Sequence, residues 1–141
     1  MRATIAALLA AGLFAGVPAT AAVVHFTAKL DGASETPPNA SKGAGSAEVT
    51  LDTESKKLDW KVIYAGLSGP ATMAHFHGPA PAGKAAGVAV PLTGSMASPL
   101  TGSANLTDTQ VGDLRAGLWY LNIHTAKIPG GEIRGQVTLV P

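Results

Sequence analysis

The stretch LWYLNIHTAKIPGGEIRGQVTLV, residues 118–140, determines the predicted fold class. Apolar side chains occupy every second position on both sides of a Pro-Gly-Gly turn, which is the pattern of a β-hairpin with one buried face. We therefore expect an antiparallel hairpin that packs on a core through one face. The apolar positions are Trp119, Leu121, Ile123, Ile133, Val137 and Leu139.

The opposite face of this predicted hairpin is polar. Matching the two apolar faces brings His124 near Glu132 and Asn122 near Arg134, although a slip of two residues would satisfy the same pattern. One face of the hairpin thus combines imidazole, carboxylate and guanidinium groups.

Short alternating runs between Gly, Pro, Asn and Ser continue along the rest of the chain, which predicts further strands. One helix is indicated at TDTQVGDLRAG, residues 107–117, where Thr107 and Gln110 fit a capping box. The sequence predicts an all-β fold, an antiparallel Greek-key-like β-sandwich or barrel with one short helix. The predicted strands are VVHFTAKL (23–30), GSAEVTLDT (45–53), KKLDWKVIYAGL (56–67), ATMAHFHG (71–78), GVAVPL (87–92) and LTGSANL (100–106).

The first 22 residues have the features of a secretory signal peptide. Arg2 precedes an apolar run over residues 5–17, and small residues follow at Ala19, Ala21 and Ala22. The run is too short and too rich in alanine and glycine for a membrane span, and the remaining chain has no other candidate. We expect residues 23–141 to form a single exported domain, periplasmic or secreted.

Composition excludes several classes of site. The chain has no cysteine, which excludes disulfides, thiolate catalysis and cysteine-ligated zinc or iron-sulfur centres. Without the leader, nine basic residues balance nine acidic ones, which does not favour a nucleic-acid partner. A serine hydrolase is disfavoured because no Gly-x-Ser-x-Gly motif is present.

The segment AHFHGPAPAG, residues 74–83, carries a candidate metal site. His75 and His77 share one face of a predicted strand, close enough for both imidazoles to reach one ion, and the loop that follows would leave space beside them. His124 on another strand is the candidate third ligand, and His25 on the polar face of the first strand is the candidate fourth.

An all-imidazole ligand set favours copper first and zinc second. Met73, on the face of the histidine pair, could add a thioether, and Glu132 could orient the His124 ring. Other roles fit the same residues: a His-x-His pair can serve surface polarity or hold a loop, Met73 can be packing, and Glu132 with Arg134 can be a cross-strand ion pair.

Three segments together resemble a known family. FTAKLDGASETPP (26–38), GLSGPATMAHFHGPAPAG (66–83) and GLWYLNIHTAKIPGGEIRGQV (117–137) are similar to successive signatures of the CHRD domain family, found in chordin and in exported bacterial proteins. The resemblance implies a β-sandwich domain outside the cytoplasm. It implies much less about activity, because a fold does not fix a function.

The histidine pattern is also similar to that of copper superoxide dismutases, which combine a His-x-His strand, two further histidines and a nearby arginine. This likeness implies copper held by His25, His75, His77 and His124, with Arg134 attracting superoxide. The dismutase disulfide and zinc-binding loop have no counterpart here. Three functions stay open: a copper redox enzyme, a copper uptake, delivery or buffering protein that exchanges metal with a copper-trafficking protein, and a metal-free interaction module.

Overall fold

The computed structural model describes residues 22–141, so the predicted signal peptide lies outside the described residues except for its last residue, Ala22. This part of the chain forms antiparallel strands and one short helix, which confirms the predicted fold class. Within it, no helix has the length and apolar character needed to cross a membrane. The elements are β1 (Val23–Asp31), β2 (Ala44–Asp52), β3 (Lys57–Ala65), β4 (Ala71–His77), β5 (Val88–Pro91), β6 (Leu100–Asn105), α1 (Asp108–Arg115), β7 (Tyr120–Thr125), β8 (Ile133–Gln136) and β9 (Thr138–Leu139).

The strands build one nearly closed, barrel-like sheet. Their order is β5-β4-β7-β8-β1-β2-β3-β6, and the short β9 also pairs with β1. The two halves of the sheet face each other across the core, where Trp60 of β3 meets Phe76 of β4 edge to face at a centroid distance of 5.6 Å. In this strand order β4 and β7, which are far apart in sequence, are direct neighbours.

Apolar alternation explains which faces are buried. Phe26, Ala28 and Leu30 of β1 point into the core, and Phe76 of β4 is fully buried, as predicted. Helix α1 begins at the predicted capping box: the Thr107 side chain accepts from the Gln110 backbone N–H, and the Gln110 side chain accepts from the Thr107 backbone N–H.

The C-terminal hairpin has the predicted register, with Asn122 opposite Arg134 and Ile123 opposite Ile133. Leu139 differs from the prediction, because it is exposed and not part of the apolar face. The reason is that β8 ends before Val137 and the chain continues as β9, which pairs with β1 and not with β7.

The polar face of the hairpin is also buried, which alternation alone did not predict. Every residue of β7 is buried: Leu121 and Ile123 pack in the core, and the loops at residues 32–43 and 78–87 fold over the polar face. Side chains of β8 hold both loops: Arg134 donates to the Thr36 hydroxyl at 2.9 Å, and Gln136 donates to the Ala80 carbonyl at 2.9 Å. The face that carries the candidate ligands is therefore an internal layer with limited access to solvent.

Candidate metal centre

The structure brings together three of the four histidines. His75 and His77 project from one face of β4, and His124 lies on the neighbouring strand β7, where it pairs with Met73. One ring nitrogen of each histidine lies within 4.8 Å of the other two, so the three could hold one metal ion. We call this group the histidine cluster.

The three rings meet edge to face. The centroids of His75 and His124 are 5.0 Å apart, and those of His75 and His77 are 5.4 Å apart. His124 is 7% exposed, whereas His75 and His77 are partly exposed. The histidine cluster thus lies just below the surface, with its β4 side nearer to solvent.

Backbone carbonyls fix the protonation of two rings. His77 Nδ1 lies 3.0 Å from the Ala86 carbonyl oxygen, and His124 Nδ1 lies 2.8 Å from that of Pro129. A carbonyl can only accept, so each Nδ1 carries the hydrogen and donates it. The Nε2 of each ring is left with a free lone pair that points into the histidine cluster, which is the state that a metal ligand needs.

Burial supports the same neutral state. Desolvation lowers the pKa of His75, and the neighbouring His124 and His77 charges lower it further. Desolvation also lowers the pKa of His77, although hydrogen bonds to Ala86 and Asn122 act in the opposite direction. Both imidazoles are therefore neutral at neutral pH, and their lone pairs are available to a cation.

Asn122 is a member of the site that sequence reasoning did not identify as a candidate ligand. Its Oδ1 lies 3.0 Å from His77 Nε2 and 3.0 Å from His124 Nε2. The signal was present in the sequence, because Asn122 precedes His124 by two residues on a strand and so shares its face. The predicted hairpin places Asn122 only on the polar face, near Arg134.

A family model for the CHRD domain matches residues 26–137. The chain belongs to the CHRD domain family. The match covers the chain from β1 to just beyond β8 and includes the whole histidine cluster, so the site lies inside the CHRD domain. No curated protein and no solved structure matches the chain.

Two predicted members lie differently in this CHRD domain. His25 is exposed on β1, opposite Thr50 of β2, and among the described residues it is not part of the histidine cluster. The prediction of His25 as a fourth ligand is therefore not supported, because β7 and β8 separate β1 from β4 in the sheet. Met73 is largely exposed and lies directly opposite His124, so its thioether remains a candidate neighbour of the metal.

Glu132 does not orient the His124 ring, contrary to the prediction. Its fully buried carboxylate accepts hydrogen bonds from the Ser41 and Thr125 hydroxyls and from both the backbone N–H and the hydroxyl of Ser68. Burial alone would raise the pKa of Glu132, but these hydrogen bonds together lower it to about 2. Glu132 therefore ties three segments of the CHRD domain together, and the loop carbonyl described above orients the ring.

Arg134 also has a different environment from the one predicted. It is 2% exposed, donates to the Thr36 hydroxyl and the Lys84 carbonyl, and lies over the Tyr120 ring. A buried guanidinium with these partners does not present its charge to solvent beside the histidine cluster. The predicted role of Arg134 in attracting superoxide is not supported by this geometry.

Proposed function

We propose that this CHRD protein is an exported copper-binding protein with a mononuclear site formed by His75, His77 and His124. The observation that carries the proposal is the convergence of three imidazole nitrogens within 4.8 Å, two of them held by backbone carbonyls in the tautomer that binds metal. A hydrogen-bonded surface pair would not require three imidazole rings from two strands to bring one nitrogen each to the same place. Export is proposed from the leader-like residues 1–22.

Copper is the proposed metal and zinc is the second choice. Imidazole suits both ions, but copper(II) binds most tightly in the divalent series. The absence of cysteine removes the thiolates that most structural zinc sites use. Met73 adds a soft sulfur at the exposed side of the site, opposite His124, where it would favour copper(I).

Binding for uptake, delivery or buffering is the form of this function that the site supports best. His75 and Met73 lie on the solvent-facing side, so a copper-trafficking protein or a chelator could reach the metal. Superoxide dismutation is the sharper extension of the proposal, since a small anion could enter by the same side. The burial of Arg134 removes the electrostatic steering expected for that activity and places it second.

The test is copper(II) titration of the purified protein, followed by electron paramagnetic resonance (EPR) and metal analysis. We expect one copper per chain with a nitrogen-rich signal, and we expect the His75→Ala/His77→Ala variant to lose it. His25→Ala is the matched control, because it removes an exposed imidazole outside the histidine cluster and should bind like the wild type.

Other results would revise the proposal. Stoichiometric zinc binding without copper binding would keep the site and correct the metal. No stoichiometric binding of either ion would refute the proposal and favour a metal-free interaction module. For the copper-loaded protein, superoxide consumption no faster than in free-copper controls would refute the dismutase extension alone.

A further inference from the structure

We propose that Asn122 is the fourth ligand of the metal, through its side-chain oxygen, and that Glu35 holds it in the ligating orientation. This inference rests on the proposed function and deepens it, because it completes the coordination set as three nitrogens and one oxygen. Asn122 is 4% exposed and Glu35 is 6% exposed, so both belong to the interior of the site.

No hydrogen atom lies between Asn122 Oδ1 and the two imidazole nitrogens that it contacts. The oxygen lies 3.0 Å from the Nε2 atoms of both His77 and His124, and both rings carry their hydrogen on Nδ1, bonded to a backbone carbonyl. An amide oxygen is an acceptor only. His75 Nδ1 lies 3.1 Å from His124 Nε2 and can donate a hydrogen to it. That hydrogen does not lie between His77 Nε2 and Asn122 Oδ1. Lone pairs therefore face each other, and a shared cation would turn this repulsion into attraction.

The separations of neighbouring atoms in this site match those in a coordination sphere. Ligands bonded to one ion at about 2.0–2.1 Å, with angles between square-planar and tetrahedral, are separated from one another by about 2.8–3.4 Å. Three of the six separations among the four atoms are those between neighbours: 3.1 Å for His75 to His124, 3.0 Å for His124 to Asn122 and 3.0 Å for His77 to Asn122. All three lie inside that range, and the three histidine nitrogens lie within 4.8 Å of one another, so one ion could contact the four atoms once the more widely spaced ones move closer.

Glu35 accounts for the direction of the Asn122 amide. Both side chains border the space beside Gly131, where an added Cβ would meet Glu35 Oε1 at 2.5 Å and Asn122 Nδ2 at 2.8 Å. Glu35 Oε1 is buried and has no hydrogen-bond partner among the described residues, so it has room to accept. A carboxylate attracts the amide nitrogen and repels the amide oxygen, so Oδ1 turns toward the imidazoles. Glu35 is thus a positioning residue.

An oxygen ligand has a consequence for the oxidation state of copper. Copper(II) accepts mixed nitrogen and oxygen sets, whereas copper(I) prefers softer ligands. Loss of the Asn122 oxygen should therefore weaken copper(II) binding more than copper(I) binding. The reduction potential of the bound copper should rise in the same variant.

The test compares Asn122→Ala with the wild type by copper(II) titration, EPR and voltammetry. We expect copper(II) affinity to fall by about 10- to 100-fold, with a changed copper hyperfine pattern and a raised potential. Glu35→Ala should cause a smaller loss in affinity with the same direction of spectral change. Asn105→Ala, at an exposed asparagine of β6, is the matched control and should leave all three readouts unchanged.

The outcomes separate the two proposals. An unchanged EPR spectrum and affinity in Asn122→Ala, with binding still lost in His75→Ala/His77→Ala, would overturn the role of Asn122 and leave the histidine site intact. No binding by the wild type would refute both. If Asn122→Ala does not fold, Asn122→Asp replaces it: an oxygen ligand at this position predicts a shifted copper spectrum, and an unshifted one would overturn the inference.

Discussion

Arg134 lies over the ring of Tyr120, with its Cζ atom 3.4 Å from the ring centroid. Tyr120 in turn stacks on His77 of the histidine cluster, with centroids 4.8 Å apart and planes within 3° of parallel. Three planar groups therefore connect a buried charge to a candidate ligand. Arg134 acts on the site through packing, which a planar guanidinium provides and an ammonium does not.

Replacing Arg134 by lysine keeps the charge and removes the planar group. We expect Arg134→Lys to lose about 1–3 kcal/mol of unfolding free energy, because one of the two charged hydrogen bonds to Thr36 and Lys84 has no replacement. Copper affinity should fall severalfold as His77 becomes less ordered. Denaturant titration and copper titration measure the two effects. Lys84→Ala is the control, since only the carbonyl of Lys84 is used; a variant as stable as this control would contradict the role of the stack.

Tyr120→Phe tests the support of the His77 ring separately from the stack. The Tyr120 hydroxyl accepts from the Ala86 N–H at 3.1 Å and donates to the Ala86 carbonyl at 3.2 Å, the same carbonyl that accepts from His77 Nδ1–H. The phenyl ring keeps the stacking face but leaves this loop less restrained. We expect a measurable loss of copper affinity, of up to about 10-fold, with an unchanged number of bound ions. Equal affinities for wild type and variant would show that the loop needs no such restraint.

Apolar alternation was sufficient to predict the strands, the buried position of Phe76 and the pairing of Asn122 with Arg134. It could not predict what covers the polar face. Residues 32–43 and 78–87 have no periodic pattern, and their position depends on hydrogen bonds to side chains far away in sequence, such as those of Arg134. The separation of His25 from the other histidines depends on the order of strands in the sheet, which a local pattern does not encode.

Gly131 should be sensitive to the smallest possible side chain. Its φ of +128° is unfavourable for other residues, and a Cβ would collide with Glu35 and Asn122. We expect Gly131→Ala to cost about 1–3 kcal/mol of stability and to weaken metal binding by displacing Asn122. Gly130→Ala is the matched control, because nothing lies within 4 Å of its Cβ position. Thermal denaturation and copper titration of the two variants should differ clearly, and similar results would contradict the crowding at Gly131.

Glu132 should make the free energy of unfolding depend on pH in the acid range. Its pKa of about 2 lies below its ordinary value of 4.5, so its ionised form stabilises the folded state above pH 4.5 and this contribution disappears as the pH falls toward 2. The difference corresponds to about 3 kcal/mol. We expect Glu132→Gln to be less stable at pH 7 and to lose less stability between pH 5 and pH 2.

Denaturant titrations of the wild type and Glu132→Gln at pH 7, 5, 3 and 2 measure this dependence. The difference between the two proteins isolates Glu132 from the other carboxylates, which titrate in both. Parallel curves over the acid range would mean that the hydrogen bonds from Ser41, Ser68 and Thr125 do not stabilise the charge.

The acceptors that orient His77 and His124 are main-chain carbonyls, those of Ala86 and Pro129. Every amino acid carries such a group, so the loops can exchange side chains during evolution while they continue to direct the two rings, provided that the backbone path is kept. Only the residues whose side chains would face the proposed ion, or restrain the path of these loops, are narrowly constrained. The side chains around the histidine cluster can therefore change while the orientation of its rings is kept.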